Sequence, residues 1–281
     1  MRVQLISDLH LERYPDFQPK AAAGAEVLVL AGDIGSYQAG SRLTSDDFGL
    51  ERFSPRRPGA QWPRVLYVPG NHEFDGLEYA DAYARLRELC TQLAIEWLDR
   101  EVITIGTVRF VGAILWSDFD AFASAAPTLT QQLQLREKAY RAANFYLRKN
   151  STRRGDAPVL AEGIRTLALE SQAWLRHALQ TPFEGCTVAV THFAPTLRSA
   201  DPRYGLTPGT AGFCNAMDDL LPLADVWMHG HLHCANDYEV SGQDASGRDF
   251  ACRVVANPLG YFSKGEQATF RSDWGIDLPS R

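Results

Sequence analysis

The 281-residue sequence has no apolar run of membrane-spanning length, no basic block longer than a pair such as Arg56-Arg57 or Arg153-Arg154, and no CxxC. Each absence closes off a class of function. Without about 20 consecutive apolar residues, no transmembrane helix is expected. The first residues, MRVQLISDLH, enter an apolar strand pattern without a charged leader, so no secretory signal is expected either. With a formal net charge of −6 and no basic clusters, a broad nucleic-acid surface is not expected. Five cysteines, odd in number and widely scattered, argue against a disulfide framework and for a reducing compartment. The expected location is the cytoplasm, with the cysteines as buried thiols; Cys234 stands out only because it follows His233. There is no internal repeat and no low-complexity segment. What remains, 45% hydrophobic and 22% charged, is the composition of an ordinary globular protein with a substantial core.

Hydrophobic periodicity gives a mixed α/β order. Residues 3–7, 26–31 and 64–68 read as short buried strands that run into polar, glycine-bearing turns. Residues 77–93 carry apolar positions at helical spacing. Strands follow within 95–116, the last two joined as a hairpin at Gly106-Thr107. The stretch 117–160, mostly helical and including the loop KNSTRRGDAP at 149–158, breaks the rhythm and reads as an insertion. A helix at 160–179, a strand at 186–192, a Pro/Gly loop at 193–212, a short helix near Cys214 to Leu221 and a strand at 224–228 come next. A closing hairpin at 236–257 and an irregular tail complete the pattern. A loop as long as 193–212 inside a compact fold is usually functional.

The polar residues fall at the strand ends. Asp8 and His10 follow the first strand, Asp33 the second, and Asn71 and His72 the third; His192 ends one later strand, and His231 and His233 follow another. In α/β sheets the crevice beyond the carboxyl ends of strands is where ligands bind, so these side chains are placed to converge. Imidazole, carboxylate and amide oxygen together make a borderline-hard site suited to Mn, Fe, Zn or Co. Asp8 and His10, and likewise His231 and His233, are two positions apart, which on an extended backbone puts each pair on one side. The count exceeds the roughly three protein ligands of a single catalytic zinc, so two ions are the economical reading. His229 shares the two-residue spacing of VWMHGHLHC, but Gly230 can break the phase. It reads as a histidine satisfied by hydrogen bonds at a strand end, or one that orients a ligand.

The blocks SDLH (7–10), AGDI (31–34), PGNHE (69–73), TH (191–192) and GHLH (230–233), in that order, resemble the signature blocks of the calcineurin-like metallophosphoesterases. The resemblance implies one domain over 1–281, a four-layer αββα sandwich of two mixed sheets flanked by helices, with insertions at about 35–62 and 117–160. It implies that Asp8, His10 and His233 hold one metal ion, that Asn71, His192 and His231 hold a second, and that Asp33 bridges them. His72 then stands beside the site as general acid or transition-state contact. Glu73 either bonds the site's loop or caps the helix starting near Leu77. Arg203 and Tyr204, in the Pro/Gly loop, are candidates to touch a phosphate or an organic group. His177 is expected at the surface, and Arg56 and Arg57 in an exposed loop.

Three functions fit these residues. The first is hydrolysis of a small soluble phosphomonoester or phosphodiester, a phosphatase or phosphodiesterase reaction, by a hydroxide held between the ions. The second is a nuclease on the same site, disfavoured by the acidic balance. The third is a non-catalytic scaffold, which predicts eroded ligands, and every ligand position is intact. Oligomeric state and substrate are left open by the sequence.

Overall fold

Segments such as VQLI and VLVLA have no polar face to turn to water, so each must lie between two covering layers. In a computed structural model, which describes residues 1–149 and 152–279, they do. The elements in chain order are β1 (Arg2–Ile6), β2 (Val27–Ala31), β3 (Arg64–Val68), α1 (Tyr79–Leu93), β4 (Glu96–Trp97), β5 (Glu101–Ile105), β6 (Val108–Ala113) and α2 (Leu129–Leu147). They continue with β7 (Arg153–Arg154), β8 (Ala157–Pro158), α3 (Ala161–Gln180), β9 (Cys186–Thr191), β10 (Val226–His229), β11 (Asn236–Gln243), β12 (Asp249–Ala256) and β13 (Gly275–Asp277). One sheet has the order β13-β1-β2-β3-β4, parallel except for β13. The other has the order β11-β12-β10-β9-β6-β5, parallel inside and antiparallel in its two outer pairs.

A single cluster of buried apolar side chains joins the two sheets. Helix α1 buries Ala82, Leu86 and Cys90, one residue per turn, and packs beside β4. Helix α3 buries Ala161, Ile164, Ala168, Leu175 and Leu179 and packs on β6. The helices thus cover different sheets, and the result is the expected sandwich of two mixed sheets flanked by helices. None of the helices among the described residues is long and apolar enough to cross a membrane.

Several local expectations are corrected. The helix expected near Cys214 to Leu221 is a 3₁₀ stretch, Asp218–Leu223, because Pro222 inside it cannot supply a helical N–H. Part of the loop expected at 149–158 is the small β7-β8 hairpin, turning at Gly155; Asn150 and Ser151 lie outside the described residues. Within the expected insertion at 35–62, Arg56 and Arg57 are exposed as anticipated, while Phe48, Leu50, Phe53 and Trp62 enter the core. The tail is not wholly irregular: β13 adds an antiparallel edge to β1, with Ile276 buried.

The segment after β12 stitches the two sheets together. Asn257 Nδ2 donates to the Leu5 carbonyl at 2.9 Å, Leu259 N to Ser7 O at 3.1 Å, and Gly260 N to Asp8 O at 3.0 Å. The carboxyl ends of β1, β2, β3, β9 and β10 therefore open on one shared edge.

Candidate metal centre

The turns at this edge do not continue the strands. Asp8, His10, Asp33, His231 and His233 have φ values of 54°, 48°, 54°, 69° and 50°, in the left-handed region. This corrects the extended geometry expected from two-residue spacing: each pair is aimed inward by left-handed residues instead. Such conformations cost on the order of 1–3 kcal/mol each and persist only where the surroundings enforce them. Here the surroundings are specific hydrogen bonds. Asp8 N donates to Gly32 O at 2.9 Å and His10 N to Asp33 O at 3.1 Å. His231 N donates to both Asp8 carboxylate oxygens, at 3.0 and 3.1 Å. Backbones also approach closely: a Cβ on Gly32, itself at φ +86°, would stand 2.6 Å from the Gly70 nitrogen.

Two groups of ligand-type atoms result, each with all its atoms within 4.8 Å of one another: Asp8, His10, Asp33 and His233, and then Asp33, His192 and His231. Asp33 belongs to both. His10 Nε2 and His233 Nε2 are 3.0 Å apart, and His233 Nε2 lies 3.4 Å from Asp8 Oδ1. On the other side, His192 Nε2 is 3.3 Å from Asp33 Oδ2 and 3.2 Å from Asn71 Oδ1. All seven residues expected as ligands are thus gathered at one place.

The residues fit cations. Asp33 Oδ2 and His231 Nε2 are buried without a hydrogen-bond partner, an expensive state unless something positive meets them. The ring nitrogens on the far side of the histidines are occupied: His10 Nδ1 donates to Glu12 at 3.1 Å, His233 Nδ1 to Glu266 at 2.6 Å, and His192 Nδ1 to the Ala31 carbonyl at 2.8 Å. This leaves each Nε2 turned inward, the arrangement that orients metal-binding imidazoles. The electrostatics agree. Burial alone would lower His192, yet the Asp33 charge raises it to about 9; hydrogen bonds to Asp8 and Glu266 likewise raise His233 to about 9. Burial has the opposite result at His10 and His231, whose imidazoles are held below their ordinary range and so stay neutral, as ligating rings must be.

The remaining candidates separate clearly. Glu73 accepts from Ile34 N at 2.7 Å, Gly70 N at 2.8 Å and Asp33 N at 3.1 Å, so it ties the turns after β2 and β3 together and does not cap α1. Burial and the neighbouring Asp33 push it up to about 7. His229 donates from Nδ1 to Gly230 O and accepts at Nε2 from Ser199, both at 3.0 Å; burial lowers it to about 4, and it is a neutral core histidine. Arg203 is held in a two-pronged pair with Asp201, at 2.8 and 2.6 Å, and is occupied there. His177 is exposed, and Cys234 belongs to neither ligand group. Glu12, Glu266 and Asp75 were not singled out by sequence. Asp75 accepts from His72 Nδ1, which turns Nε2 to within 4.0 Å of Asp33 Oδ2. Tyr261 stacks on His10 at 4.3 Å. Only Glu12, two positions after His10, carried a local signal.

A cavity of about 1030 Å³ opens over this centre, lined by Asp33, Asn71, His72, His231 and His233 among others, with Tyr204 on its loop wall. The family model described as calcineurin-like phosphoesterase matches residues 1–235. No curated protein sequence matches the chain. Among solved structures, the chain is similar to a phosphopantetheinyl hydrolase from Mycobacterium tuberculosis at 20% identity and a TM-score of 0.65, covering 99% of this chain and 95% of that one. At that identity the likeness carries the fold alone.

Proposed function

Since the chain belongs to the calcineurin-like phosphoesterase family, we propose that it hydrolyses a phosphomonoester or phosphodiester of a small soluble substrate with two divalent transition-metal ions. In this reading Asp8, His10 and His233 hold one ion, Asn71, His192 and His231 the other, and Asp33 both. The observation that carries it is Asp33 Oδ2, a buried carboxylate oxygen without a hydrogen-bond partner that belongs to both ligand groups. Bound there, the ions supply Lewis acidity and an activated water. The protein's own part is positioning and proton transfer. Glu12, Glu266 and the Ala31 carbonyl hold the ligating rings, and Glu73 fixes the loop that carries Asp33. His72, its Nδ1 held by Asp75, presents Nε2 to the cavity, where it donates a proton to the departing oxygen. Unbridged cysteines suit a cytoplasmic setting.

Asp33→Asn tests this reading. Metal analysis of the purified protein is expected to find two ions per chain, reduced in the variant, with hydrolysis of model esters abolished. Full activity in Asp33→Asn, or no metal bound under saturating Mn²⁺, sinks the two-metal proposal. Faster turnover of single-stranded nucleic acid than of small esters replaces it with a nuclease.

A further inference from the structure

The cavity is much larger than a phosphoryl group needs. Cavities of roughly 300–1000 Å³ hold ligands of drug size, and this one, at about 1030 Å³, runs from the metal ligands to α2 and the loop at 201–213. Its lining includes the apolar side chains of Phe119, Ala143, Leu147, Ile164, Phe193 and Phe213, of which Phe193 and Phe213 pack on the His231 ring at 4.0 and 5.3 Å. Tyr146 and Phe213 in the same lining are 66% and 43% exposed, so the apolar wall continues to the mouth. Helix α2 is 19 residues long yet fully buries only Ala139. Tyr140, Ala143 and Leu147 pack against the core from partly buried positions and Arg136 pairs with Asp120, while Lys138, Arg141, Ala142, Ala143, Tyr146 and Leu147 line the cavity. Two residues of the lining also have constrained backbones: Trp116 and Phe119 have φ of 39° and 63°, conformations that recur at ligand clamps.

Because the apolar wall and the metal ligands border one continuous space, whatever fills the first is attached to the phosphorus held by the second. We propose that the substrate is a phosphate ester carrying an extended, largely apolar organic arm, seated between α2 and the loop at 201–213. The proposal rests on the hydrolase reading above, and its test separates the two.

The test is calorimetric binding of methylphosphonate and hexylphosphonate to the Mn²⁺-loaded protein. A buried methylene is worth up to about a fourfold gain in affinity, so hexylphosphonate is expected to bind at least roughly 10-fold tighter. Phe213→Ala and Tyr146→Ala are each expected to shrink that ratio about 3- to 10-fold, by loss of buried aromatic area. Equal affinities in the wild-type protein overturn the proposal, whether or not the variants fold. Methyl and hexyl 4-nitrophenyl phosphate supply the second readout. If neither ester is turned over while the hexyl preference persists, the hydrolase reading fails and the arm site stands.

Discussion

His10 and His233 each lean on a carboxylate, Glu12 and Glu266, whereas His192 leans on a backbone carbonyl. A carboxylate behind an imidazole makes it a better donor and fixes its ring, and its loss typically weakens metal binding about 10- to 100-fold. Glu266→Gln is therefore expected to release the ion beside Asp8 and His10 at lower chelator concentration, a shift of that size readable in competition titration with a fluorescent chelator. His72 calls for a different readout. Removing it should leave both ions bound but cut kcat on an alkyl ester by roughly 10²- to 10⁴-fold, the scale of general acid help. An activated aryl ester should lose much less. Equal losses on both esters assign the ring to charge stabilisation, and loss of an ion makes it a ligand. At this scale the residues that converge were legible in the sequence, because each stands in a short block after an apolar run. Their orienting partners were less so: Glu266 lies 33 positions from His233, and nothing in the intervening sequence marks the pairing.

Strands were easy to read, since buried parallel strands are apolar throughout, and helix α3 announced itself by its apolar spacing. The turns between them were misread as extended. Left-handed residues leave no mark on periodicity, and Asp and His tolerate such φ values better than branched residues do. The turn after β2, which carries Asp33, is tied to the turn after β3 by Glu73, whose carboxylate takes amide hydrogens from both. Glu73→Gln sets an amide NH₂ group against those donors and should destabilise the fold by about 2–3 kcal/mol, measured by urea unfolding of metal-free protein. An unchanged midpoint would remove Glu73 from its structural role. The glycines test the same approach: Gly70→Ala places a Cβ 2.5 Å from Asp33 N and 2.7 Å from His192 Cε1, so reduced metal content is expected even where the variant folds.

For the molecule as a whole, bound ions would neutralise Asp8 and Asp33, carboxylates that the fold holds together. Chelation should lower the melting temperature, and Mn²⁺ should restore it. At free metal 100 times the dissociation constant, each ion contributes about 2.7 kcal/mol, which for a chain of this length corresponds to a shift of about 4–5 °C per ion. An unchanged melt with metal loss verified would mean that the site is not assembled from these strand ends. The order of strands and helices gave a mixed sheet system covered by helices, and the αββα layering came from the resemblance of the strand-end blocks; neither gave β13, because three residues of edge strand in a polar tail leave no period to detect. That strand nevertheless governs how the chain comes to be finished. Strand β1 gains its outer neighbour only when β13 has been made, since Arg2 pairs with Asp277, 275 positions later. Glu266 follows His233 by 33 residues, about 2–7 s of synthesis at 5–20 residues per second. The His233 ring is thus made 33 residues ahead of the carboxylate that holds its Nδ1, so this corner of the centre takes its final form only once the tail has docked.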